Sequence, residues 1–74
     1  MNENEMLQEL WQLQTWFNVY YTQHEQKYNR LIALNKQDDD GIDGNTKLIN
    51  LYNEAEIKRA RIQELERLLS DSSK

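Results

Sequence analysis

The stretch Asp38-Asp39-Asp40-Gly41-Ile42-Asp43-Gly44-Asn45 decides the fold. It holds the only two glycines of a 74-residue chain that has no proline. Gly, Asp and Asn are the residues that turns require, and nowhere else in the chain do they cluster with glycine. On either side lie mostly good helix formers, with apolar positions recurring at helical spacing. The pattern predicts a helix over about 4–36, an acidic loop over 37–44, a helix over about 45–69 and a frayed tail over 70–74. Asp43, Asn45 and Thr46 are the candidate caps of the second helix.

Working outward, the first helix carries Leu10, Phe17, His24 and Leu31 at seven-residue intervals. Met6, Leu7, Leu13, Tyr20, Tyr21, Tyr28 and Ile32 fall beside them. The second repeats the pattern with Leu48, Ala55, Ile62 and Leu69, flanked by Leu51, Tyr52 and Leu65. Such stripes pack helix on helix in coiled-coil-like geometry, and a short connection makes the neighbours antiparallel. The fold class read from this is all-α: one domain over 1–74, a two-helix antiparallel hairpin that dimerises into a four-helix bundle. Folding the chain at the loop sets Leu31 and Leu34 near Leu48 and Leu51. It sets Tyr28 near Ala55, His24 near Arg59, Tyr20 and Tyr21 near Ile62, Phe17 near Leu65 and Leu13 near Leu69. In that register Met6, Leu7, Leu10 and Trp11 run past the second helix without cover.

Composition narrows the function. A chain of this length builds only a small core, so disulfides, a metal or oligomerisation usually help to hold it. There is no cysteine and a single histidine, which removes a disulfide framework, a thiolate zinc site and a multi-histidine site within one chain. Association is what remains. The formal net charge of −4 argues against nonspecific nucleic-acid binding. No apolar run approaches the roughly 20 residues that span a bilayer. The acidic, polar start of the sequence is unlike a secretory leader, so a cytoplasmic location is expected.

Three clusters invite chemistry and are better read as structure. His24 is the only side chain placed to titrate near neutrality, with Tyr20, Tyr21, Glu25 and Tyr28 as neighbours. No nucleophile, oxyanion hole or pocket accompanies it, so it reads as a paired interior residue, with a pH-sensitive interface beside Arg59 as the next reading. Asp38, Asp39, Asp40 and Asp43 suggest a calcium loop, but with Gly44 at the central place Asn50 stands where the bidentate Glu belongs. They read as a solvated turn. Residues 40–46 also resemble a glycine-containing segment of peptidoglycan-binding modules over seven residues, with imperfect spacing and helices foreign to that fold. Lys58, Arg59 and Arg61 lie near Glu54, Glu56, Glu64 and Glu66 at helical spacings, which describes a salt-bridged surface rather than a nucleic-acid face. The tyrosines read as core and rim, and no cofactor, metal ligand or catalytic residue is predicted.

The expected function is therefore non-enzymatic association through helix packing. The first half of the first helix is apolar over more of its circumference than one neighbouring helix can cover. Trp11 projects from one flank, Trp16 from the other, and Val19 points nearly backwards. Leu7, Leu10, Trp11, Leu13, Trp16, Phe17, Val19 and Tyr20 form the expected partner interface, because clustered aromatics mark binding surfaces. A homodimer is the first reading. A heteromeric adaptor or inhibitor of bacterial or phage accessory type, docking its Trp-bearing helix on a larger protein, is the alternative. A nucleic-acid-binding module comes last.

Overall fold

A computed structural model describes residues 2–72. The chain is an all-α antiparallel hairpin measuring 52 × 17 × 16 Å. The first arm comprises α1 (Glu3–Thr15), a π-helical segment (Trp16–Tyr21) and α2 (Thr22–Ala33). The second arm is α3 (Gly44–Ser72). Asn2 caps α1 by accepting from the Glu5 amide at 2.8 Å, and Glu3 and Glu5 complement the positive helix end.

The first arm ends at Ala33, three residues before the expected boundary. Asn35 adopts a left-handed conformation with φ 54°. The Lys36 amide donates to the Leu31 carbonyl at 2.9 Å, and the Asn35 amide donates to Ile32 at 3.1 Å. This paired closure is a Schellman cap, in which Asn supplies the left-handed residue. The acidic loop then folds on itself. Asp38 receives the Gly41 amide at 2.9 Å and donates to the Ile42 carbonyl at 2.8 Å. Gly41, at φ 79°, occupies the left-handed position of this three-residue hairpin loop. Asp43 caps α3 through the Thr46 amide at 2.7 Å, settling the choice among the three candidate caps. At the far end, Ser70, Asp71 and Ser72 are helical rather than frayed, while Ser73 and Lys74 lie outside the described residues.

The tight loop changes the register. Gly44 is buried at the crossing, where an added Cβ would lie 2.6 Å from the Tyr28 carbonyl oxygen and 2.9 Å from the Ile32 side chain. The arms therefore begin to pair at Tyr28, Ile32 and Gly44, earlier on α3 than the heptads suggest. Lys47 lies over the Tyr28 ring in place of Ala55, eight residues away. Arg59 lies over Phe17 in place of Leu65, six residues away. The expectation that Met6, Leu7, Leu10 and Trp11 all lack cover is corrected accordingly. Met6 is buried and Leu10 half-buried, because α3 now reaches their level.

The π segment keeps one seam continuous along the first arm. Met6, Leu13, Tyr21 and Tyr28 follow steps of seven, eight and seven residues, and all four are buried or half-buried. In a plain α-helix, at about 100° per residue, an eight-residue step would leave the seam by roughly 80°. The step from Leu13 to Tyr21 crosses the wide turn, whose i→i+5 geometry absorbs one extra residue. Thr22 Oγ1 donates to the Phe17 carbonyl at 3.1 Å, five residues back, at the end of the wide turn. The core around the seam comprises Met6, Tyr28, Leu51, Ala55 and Leu65.

The two glycines should respond differently to Ala. At Gly44 the obstructing atom is backbone, so the arms must part, costing about 1–3 kcal/mol as for other overpacked sites. At Gly41 the space is open, and the cost of about 1 kcal/mol comes from the left-handed conformation alone. Urea midpoints check the order, and a Gly44→Ala chain as stable as the wild type would contradict this crossing.

Candidate protein–protein interface

The two flanks of the hairpin differ. On one, α3 reaches across with its charged side chains. Arg61 donates to both carboxylate oxygens of Glu9, at 2.7 and 3.0 Å, a two-point contact that holds the Glu9 carboxyl below its ordinary range. Lys58 sits 5.1 Å from the Trp16 ring centroid and pairs with Glu54 at 3.4 Å. Trp16 itself stacks on Tyr20 at 5.5 Å and meets Phe17 edge-on at 4.9 Å. The ladder continues through His24, stacked on Tyr20 at 3.7 Å, to the edge of Tyr28 at 5.8 Å. His24 Nδ1 lies 2.8 Å from the Tyr20 carbonyl oxygen, which can only accept, so this contact places the ring proton on Nδ1. The expected neighbour Arg59 is not beside it. The register carries Arg59 to Phe17, seven residues earlier, and the repulsion invoked for a pH-sensitive His24 loses its second partner.

On the opposite flank α3 leaves the first arm open. Leu7 and Trp11, one helical turn apart, are 47% and 65% exposed. Trp11, Gln14 and Asn18 follow at steps of three and four, so they share this side. Gln14, Phe17 and Asn18 line an open groove with Arg59 and Ile62 of α3. Of the remaining expected interface residues, Leu10, Leu13 and Phe17 are half-buried in the seam and Trp16 in the aromatic ladder. Val19 is exposed on the back of the arm and Tyr20 is exposed along the ladder. The structure thus brings Leu7 and Trp11 to one flank with Leu10 beside them, and assigns Trp16 to the hairpin's own packing. Arg59 and Ile62 were not among the expected interface residues. Their signal in the sequence was their spacing on α3, which acquires meaning only once the register is fixed.

The acidic loop is a charge-paired cap on the closed end. Asp38 is bridged by Lys27 at 3.1 Å and Lys47 at 3.4 Å, and Lys47 also binds Asp40. The Asp39 amide donates to Asp38 Oδ1 at 2.9 Å and the Ile42 amide to Asp40 Oδ1 at 3.1 Å. Asp38 is held below the usual carboxylate range chiefly by that amide and Lys27, Asp40 by Lys47, and Asp43 by the Thr46 amide. A carboxylate with a depressed folded value contributes stability above its unfolded value and loses it as pH falls through the folded one. Stability is therefore expected to hold above about pH 4 and to decline progressively below it. Comparing urea midpoints at about pH 6 and about pH 3 checks this, and equal midpoints would contradict the paired loop.

Among the described residues, no group of three His, Cys, Asp or Glu side chains is placed to hold a metal ion. Among them, too, no helix is long and apolar enough to cross a membrane. Neither protein-family models, curated proteins nor solved structures give a match to this chain. The class that fold and surface define is an all-α helical hairpin with one apolar flank left open.

Proposed function

We propose that this protein is a small non-enzymatic interaction module that self-associates by helix packing through the Leu7–Trp11 flank. The observation that carries the reading is the unequal treatment of the two tryptophans. Trp16 is wrapped by Phe17, Tyr20 and Lys58, whereas Trp11 is 65% exposed beside Leu7 on a side that α3 does not cover. A large aromatic in a cluster at the surface is the usual anchor of an interface. The hairpin also encloses few side chains of its own, and a second layer of helices is the ordinary way such a unit gains a core.

The test uses Trp11 as its own reporter. A Trp16→Phe variant leaves Trp11 as the chain's only tryptophan. Its emission is expected to lie to the blue at high protein concentration and to shift to the red on dilution, with helicity unchanged. Emission at the solvent-exposed wavelength at every concentration would overturn the proposal.

A further inference from the structure

We infer that the second copy packs antiparallel on the open flank, about a two-fold axis that crosses both arms at the level of Glu9 and Gln63. This inference rests on the self-association reading and gives it a geometry. Three observations converge on that level. First, Arg59 lies over Phe17, and among the described residues it makes no ion pair, although Glu56 stands three residues before it. By contrast, Lys58 and Arg61 do take up their helical partners, Glu54 at 3.4 Å and Glu64 at 3.1 Å. Second, Glu66 follows Arg59 by seven residues on the same face, is exposed, and also makes no ion pair among the described residues. A unit cation and a unit anion two turns apart on one face are self-complementary under a two-fold axis midway between them, beside Ile62 and Gln63. Each Arg59 then meets the other copy's Glu66. Third, Leu7 and Trp11 lie two residues to either side of Glu9, and Glu9 is bonded to Arg61. The apolar pair on α1 and the charge pair on α3 are thus centred at one height along the hairpin.

The residues between agree with this placement. From Leu7 to Asn18 the only charged residue is Glu9, which the other flank consumes. Leu7 therefore meets the other copy's Trp11, and Trp11 its Leu7, without like-charge repulsion. The closed end stays out of the contact. An axis beside Gln63 in a helix ending at Ser72 overlaps the copies over about the last two thirds of α3, about 28 Å. Across a flank 17 Å wide this buries roughly 500 Å² per copy, near the lower bound for a specific interface. The dimer is therefore a dissociating one, sensitive to the charge pair.

The chain has no cysteine, so a single introduced one reports proximity to its own copy. Gln63→Cys, at an exposed position beside the axis, is expected to form a disulfide-linked dimer under mild oxidation, while Asn53→Cys on the outer side stays monomeric. Arg59→Glu and Glu66→Arg are each expected to weaken association about tenfold or more. The combined R59E/E66R chain is expected to recover it, with helicity the same in all. If no variant or wild-type chain associates at any concentration, the self-association reading falls and the geometry with it. If the chain associates but Gln63→Cys fails to link and the double exchange fails to restore, self-association stands and the antiparallel arrangement is overturned.

Discussion

A Leu65→Ala chain is expected to lose about 2–5 kcal/mol of folding stability, the range for leucines truncated in a closed core. Leu65 is fully enclosed, at 0% exposure, and the other core side chains are few. The hairpin has no second layer of its own behind α3, so collapse around the missing methyls would have to move a whole arm. Globular chains hold about 0.05–0.15 kcal/mol per residue, or roughly 4–11 kcal/mol at this length. The substitution therefore removes a large share of the total, and partial unfolding at room temperature is expected. Helicity against urea at fixed protein concentration checks this, because association adds to apparent stability by mass action. A midpoint within experimental error of the wild type would mean that Leu65 does not anchor the arms.

The second large effect separates two residues that look equivalent in the sequence. Trp11→Ala is expected to leave helicity and the urea midpoint of the dilute chain nearly unchanged, since the side chain is mostly in solvent. It should weaken association by about 2–3 kcal/mol, some 30- to 150-fold, the effect of removing an interface hot spot. Trp16→Ala should do the reverse. It removes the ring on which Phe17, Tyr20 and Lys58 pack, and its first consequence is a less stable arm. Removing both tryptophans at once would confound the two effects, so the single variants are the informative ones. Dilution series followed by sedimentation, read beside urea melts, check the split. Equal behaviour of the two would contradict the assignment of Trp16 to the fold and Trp11 to the surface.

Much of the hairpin was legible because one glycine-bearing cluster interrupts otherwise helical spacing. Glycine and aspartate report local backbone needs, and those are written in local sequence. The register was not legible in the heptads. It is set by the close approach of Gly44 to the Tyr28 carbonyl and by the left-handed cap at Asn35, contacts that carry no seven-residue signature. The π segment was hidden for a related reason. Leu10, Phe17, His24 and Leu31 repeat at seven, which favours a plain helix, while the buried series Met6, Leu13, Tyr21 and Tyr28 contains an eight. Only the series that faces α3 reveals the extra residue. Of the surface, the placing of Trp11 and Trp16 on different flanks was legible in their positions. Which flank α3 would cover was not, because that follows from the hand of the packing and from where Lys58 and Arg61 come to lie.

The pairing of charges shows the same limit. Glu54–Lys58 and Arg61–Glu64 form as their spacing predicts. Arg59 lies over an aromatic ring instead, and Arg61 takes a second carboxylate from the opposite arm. Helical spacing fixes which pairs are possible, and the neighbouring helix decides among them.

The most direct test of the central claim is the solution mass by light scattering over a concentration series, with helicity followed in parallel. A helical chain is expected whose mass rises toward that of two copies with concentration and falls to that of one on dilution. A helical chain that keeps the mass of one copy throughout would contradict it.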